Sequence, residues 1–218
     1  MDGFGGSGSD YLEGEQRHEE EGRPTMAVMA VESGQQWSYL LDTWRELDAP
    51  EGWRAEIEGG RIQLVPPPGN QHNRIAQKIS RVLGRHLPDE VGVYQTLGTR
   101  IARLEKLYIP DLVVVEEALI PAEDNDPIDA SDILMAVEVT SRSTARQDRT
   151  KKLWGYAHAP VPLYLLVDRF DQPGPTVTLY SEPSDGAYGQ SVRVPFGKPV
   201  ELPEPFGITL DTTGFPLP

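Results

Sequence analysis

Three short, almost unbroken apolar runs constrain this chain most: Leu112 to Val115, the stretch ILMAVEV from Ile133 to Val139, and PLYLLVD from Pro162 to Asp168. Runs of four to eight such residues between polar or proline-bearing segments read as strands buried on both faces. Strands of that kind need helices or a second layer to cover them, so the class is α/β (or α+β) with a mixed central sheet flanked by helices. Two of the runs carry an acid where none is cheap. Asp111 stands at the entrance of the first, behind Pro110, and Glu138 near the end of the second. A carboxylate there must be paired, protonated or bound to a metal, and spacing alone leaves an ion pair at a strand end and a metal site equally open.

The rest of the chain supplies the covering elements. Residues 38–48 predict a short helix, with Ser38 as N-cap and Leu40, Leu41, Trp44 and Leu47 at helical spacing. WRAEIEGGRIQLV predicts a hairpin turning at Gly59-Gly60, with Trp53, Ala55 and Ile57 on one face and Glu56 and Glu58 on the other. Residues 72–87 predict a helix on which Ile75, Ile79, Val82 and Leu83 make an apolar stripe, and Arg74, Lys78, Arg81 and Arg85 a basic one. Strands are expected at 91–96, 98–103, 109–116 and 133–140, with an acidic loop before the last. A second helix is expected at 145–158, opened by a Thr144/Gln147 capping box and weakened by Gly155. Strands near 176–181 and 190–195, separated by a polar loop, suggest a C-terminal hairpin extension. Residues 1–36 are Gly/Ser-rich and acidic and read as a disordered tail before a single domain at 37–218.

Several chemistries drop out. The chain has no cysteine, which removes thiol nucleophiles and thiolate zinc sites and suits a cytoplasmic, reducing setting. No run approaches the roughly 18 apolar residues of a membrane helix. GFGGSG from Gly3 has no strand before it and no helix after it. The acids Asp124, Asp126, Asp129 and Asp132 lack the glycine and terminal glutamate of a calcium loop and read as a solvated loop. Asp148 and Lys152, four apart on the second helix, fit an ordinary solvated pair. Because the helix begins only a few residues after Glu138, Lys152 could instead reach back over the end of that strand.

IPDLVVV at 109–115, VEVTSRST at 137–144, the continuation ARQDRTKKLWGYAHAPVPLYLLVD, and the earlier AEIEGGRI and PPPGNQH are similar, in order and spacing, to the Uma-two-type restriction endonuclease family, a bacterial branch of the PD-(D/E)XK nuclease superfamily. The resemblance covers about residues 38–170. It implies a restriction-endonuclease-like core with an N-terminal hairpin, and a Mg²⁺- or Mn²⁺-dependent endonuclease acting on DNA. It makes Asp111 the acid of the Pro-Asp motif and a metal ligand, Glu138 the second ligand and the Val139 carbonyl a third. Thr140 stands where the motif's lysine belongs, so the resemblance implies that Lys152 supplies it from the following helix. Glu56 would complete the acidic cluster and Asp148 would orient Lys152. A homodimer would let two sites cut two strands. The competing reading is a catalytically silent nuclease-fold module that binds nucleic acid or protein.

Charge does not oppose a DNA substrate. The net charge is −14, from 20 Lys and Arg against 34 Asp and Glu, but residues 1–25 alone hold −5 of it. Residues 71–106 and 142–152 are each +4. Arg74, Lys78, Arg81, Arg85, Arg142 and Arg146 are therefore candidate phosphate contacts, with an ordinary solvated helix face as the alternative for the first four.

Overall fold

The computed structural model describes residues 33–218. Helix α1 (Ser33–Arg45) is followed by the hairpin β1 (Arg54–Ile57) and β2 (Ile62–Val65), then α2 (Asn70–His86). Strands β3 (Val91–Tyr94), β4 (Thr99–Ile101), β5 (Lys106–Tyr108), β6 (Leu112–Glu116), β7 (Ile128–Asp129) and β8 (Ile133–Val139) come next. A composite helix joins α3 (Ala145–Gln147), a π-helical turn (Asp148–Lys152) and α4 (Leu153–His158). The chain ends with β9 (Leu163–Asp168), β10 (Thr176–Ser184), β11 (Ala187–Pro195), β12 (Val200–Leu202) and β13 (Ile208–Leu210).

The apolar runs form the centre of a six-stranded sheet ordered β11-β10-β9-β8-β6-β3. Within it β8 and β9 are parallel and the other pairings antiparallel, so the sheet is mixed as expected. A parallel pair needs a crossover, and the composite helix supplies it. Alternate residues of each strand feed two cores. Leu112, Val114, Met135, Val137, Leu165 and Val167 meet Ile75, Ile79 and Leu83 of α2. Val113, Val115, Ala136, Tyr164 and Leu166 meet Tyr108 and Tyr156 on the other face.

The N-terminal hairpin belongs to a second sheet, β2-β1-β5-β4-β7, on which Leu41 of α1 packs. Gly59 and Gly60 both have positive φ, 61° and 71°, as a two-residue hairpin turn requires. Both faces of β1 are buried: Ala55 and Ile57 on one, Glu56 and Glu58 on the other, while Trp53 stays 40 % exposed.

Local details differ where tertiary contacts override propensity. Helix α1 starts at Ser33, so residues 33–36 are helical rather than tail, and Ser38 is no N-cap: its Oγ donates to the Gly34 carbonyl at 3.2 Å. The rest of the expected tail lies outside the described residues. The capping box before α3 is Ser141/Thr144, not Thr144/Gln147. Ser141 Oγ accepts from Thr144 N–H at 3.1 Å, and Thr144 Oγ1 from Ser141 N–H at 3.0 Å. The segment expected as a loop between 181 and 190 continues both strands to a tight turn at Asp185-Gly186. The acidic loop 117–132 contains β7, and Asp126 pairs with Arg45 at 2.7 Å.

Candidate active site

The ends of β6 and β8, the hairpin strand β1, the N-terminus of α2 and the π-helical turn meet around a cavity of about 150 Å³, lipped by Pro66-Pro67-Pro68. Adjacent strands carry the acids: Leu112 pairs with Val137, and Asp111 N–H donates to the Val137 carbonyl at 3.0 Å. Lys152 reaches back from the helix over the end of β8. Its Nζ lies 2.8 Å from Glu56 Oε1, 2.9 Å from Glu138 Oε1 and 3.7 Å from Asp148 Oδ1. Glu56 also accepts from Ile109 N–H at 3.1 Å, and Glu138 from the Tyr156 hydroxyl at 3.2 Å. Thr140, where the motif's lysine would stand, is fully buried, and its Oγ1 ties Asp168 to the Arg169 N–H.

Glu56, Asp111, Glu138 and Asp148 are all buried carboxylates, and the permanent cations among them are Lys152 and Arg54. The imbalance shows in their acidities. Burial, reinforced by Asp148, Asp111 and Glu56, outweighs Lys152 and pushes Glu138 well above the usual carboxylate range. Burial likewise raises Asp148 to about 6. Burial would raise Asp111 too, but His72, Arg54 and the Val139 N–H hold it below its ordinary value. Burial disfavours the Lys152 ammonium, yet Glu138, Glu56 and Asp148 together hold its pKa well above normal, so it remains charged.

This excess of buried negative charge fits a hard divalent cation. Among the described residues no three His, Asp or Glu side chains converge as a metal cage. Mg²⁺ does not require one, since it keeps several waters and takes one or two carboxylates beside substrate phosphate. Asp111, Glu138 and Val139 all line the cavity and are the residues that would hold it.

A family model, Uma2, described as "Putative restriction endonuclease", matches residues 41–213. The chain belongs to the Uma2 family. The match spans every residue of the acid–lysine cluster in this Uma2 protein. A crystal structure of "a putative nuclease belonging to DUF820" from Anabaena variabilis ATCC 29413 shares the fold, with a TM-score of 0.62 at 20 % identity over 81 % of this chain and 96 % of that one. The architecture is thus restriction-endonuclease-like. A comparison with curated proteins gives no match.

Two site residues escaped the sequence reading. Arg54 Nη1 donates to Asp111 Oδ1 at 2.7 Å, and His72 Nε2 lies 2.9 Å from Asp111 Oδ2, which also accepts the Val139 N–H at 2.8 Å. Both left a trace. Arg54 alternates with Glu56 and Glu58 on the hairpin's polar face, and His72 falls on the buried stripe of α2 with Ala76, Ile79 and Leu83. The six proposed DNA-contacting bases of the Uma2 protein are all exposed. Arg74, Lys78 and Arg81 line a polar groove along α2, where Lys78 Nζ also donates to the Gly214 carbonyl at 2.6 Å. Arg142 sits between the cavity-lining residues Ser141 and Ser143.

Proposed function

We propose that the protein is a divalent-metal-dependent endonuclease that hydrolyses phosphodiester bonds in DNA. The observation that carries this reading is Lys152 Nζ, held 2.8 and 2.9 Å from Glu56 and Glu138 at the strand ends that also present Asp111. Phosphodiester hydrolysis needs a nucleophilic water, neutralisation of charge building on the phosphoryl oxygens, and relief for the leaving oxygen. A bound Mg²⁺ or Mn²⁺ supplies an acidified water and polarises the phosphate. Lys152, charged and sealed from solvent, offers a point charge to those oxygens at low dielectric. Glu56 and Asp148 aim its ammonium from either side. Arg54 and His72 fix the Asp111 carboxylate by one contact to each oxygen, so little reorganisation is needed there.

Supercoiled plasmid incubated with Mg²⁺ or Mn²⁺ tests the reading. Nicked and linear product is expected from the wild type, none with chelator, and none from Glu138→Gln or Lys152→Ala preparations that keep the native circular dichroism spectrum. One observation favours the silent-module reading: both Asp111 oxygens are already engaged by protein donors. Wild-type inertness across metals and DNA forms, with metal binding intact, would decide for it.

A further inference from the structure

Because β8 and β9 are parallel, their C-terminal ends lie side by side next to the cavity. The chain leaves β8 through Thr140-Ser141-Arg142 and β9 through Arg169-Phe170. Thr140 Oγ1 binds both Asp168 Oδ1, at 3.2 Å, and the Arg169 N–H, at 3.0 Å, so the two exits are tied together. On them stand two guanidinium groups over one half-buried ring: Arg142 Cζ is 4.8 Å and Arg169 Cζ 5.3 Å from the Phe170 centroid.

The acids nearest in sequence are already taken. Arg149 grips Asp168 with two bonds, at 2.5 and 2.8 Å, and Asp171 pairs with Arg193 and accepts from Thr176 Oγ1. Among the described residues neither Arg142 nor Arg169 has a carboxylate partner. Arg169 is only 9 % exposed, and its Nε is sealed with no hydrogen-bond partner. Burial and the neighbouring Arg142 charge together lower its pKa. The cation–π contacts compensate in part. They leave two like charges adjacent, one largely desolvated, which is costly until an anion joins them.

We propose that Arg142 and Arg169, mounted on Phe170, form a phosphate-binding site that takes a phosphate of the nucleic-acid strand beside the one being cleaved. The proposal rests on the nuclease reading above and adds a subsite to it. Arg142 itself does not line the cavity but lies between Ser141 and Ser143, which do so with Glu138; that places the pair beside the cavity, where it would meet a phosphate flanking the one inside. The phosphate is either an internal diester or a terminal monoester, and both present the oxyanion that a guanidinium fork recognises.

Two measurements on the full-length protein test this. In chelator, the log–log salt dependence of duplex binding is expected to lose about 0.9 of its slope in Arg142→Ala/Arg169→Ala, the loss of one phosphate contact. Affinity should drop about tenfold at low salt, while Arg193→Ala, which removes a cation already paired, changes neither. Should the double variant melt below the wild type, Arg142→Ala alone reads the same slope, since Arg142 is exposed. Equal losses on closed circular and linear DNA assign an internal phosphate, and a loss confined to 5′-phosphorylated ends assigns a terminal one. Separately, inorganic phosphate is expected to shift the Arg169 Nε–Hε resonance of the wild type. That shift in a protein that binds no DNA would keep the phosphate site and overturn the DNA reading. An unchanged slope together with an unmoved Arg169 resonance would overturn the site, even if plasmid is cleaved.

Discussion

In the proposed endonuclease both stability and chemistry turn on Lys152, because among the described residues it is the cation in direct contact with both Glu56 and Glu138. Lys152→Met keeps most of the volume but leaves those acids buried without the ammonium that contacts both. A loss of about 3–5 kcal/mol by urea denaturation is expected, with activity down at least about 100-fold. Adding Glu56→Gln should recover part of the stability and none of the activity. Asp148 is opposite in sign. It is 1 % exposed and neither oxygen accepts a hydrogen bond among the described residues. With its folded pKa raised to about 6 from an unfolded value of roughly 3.9, the folded state binds its proton more tightly. The stabilisation that the proton brings is present below pH 4 and lost as pH rises through 6. Asp148→Asn is therefore expected to melt above the wild type at pH 8, by an equivalent of about 1–3 kcal/mol, with the difference shrinking toward pH 4. Activity should fall about tenfold as Lys152 loses one of the charges that aim it. A variant that is less stable at pH 8 would contradict the reading of Asp148 as a buried acid whose 3.7 Å contact with Lys152 does not offset its burial.

At the scale of elements, the π-helical turn Asp148–Lys152 is what aims the site. The i→i+5 pattern inserts a residue into the helix, a device often found where a side chain must be redirected. Asp148 and Lys152 both face inward from it, whereas that spacing by itself usually marks a solvated pair. The next turn, α4, packs hard against the second sheet. A Cβ added at Gly155 would meet Tyr108 Cε2 at 3.0 Å and Ile101 Cδ1 at 3.3 Å. Tyr108 has no room to yield, because its hydroxyl is held by Glu58, which Lys106 also binds at 2.6 Å, and its ring packs edge-on against Tyr156. Helix propensity alone would reward Gly155→Ala by roughly 1 kcal/mol. Overpacking costs about 1–3 kcal/mol, so the variant is expected to melt below the wild type, the reverse of the propensity argument. The hairpin β1–β2 shows the same dependence on neighbours. Its alternation is legible in the sequence, but only the neighbours divide its acid face, Glu56 lining the cavity and Glu58 binding Lys106 and Tyr108.

For the whole molecule, four buried carboxylates against Lys152 and Arg54 leave the native state short of positive charge. Mg²⁺ or Mn²⁺ should therefore raise the melting temperature in proportion to the logarithm of its concentration, as binding to the folded state alone requires. Glu138→Gln should blunt that shift; an equal shift in wild type and variant would place the ion elsewhere. The net charge of −14 sets no obstacle to DNA when the basic segments on α2 and after β8 flank the acidic centre. The sequence by itself determined the apolar strands, the hairpins, the helix faces and the acids that stand out of place in them, because each is a local pattern with its own period. The family resemblance already implies Lys152 in place of Thr140; only the tertiary structure decided that Arg54 and His72 clasp Asp111 and that Arg169 joins Arg142 over one ring. Those contacts depend on strand register and on the parallel pairing of β8 with β9; periodicity marks the faces on which Arg54 and His72 stand, but not the partner that register brings to them.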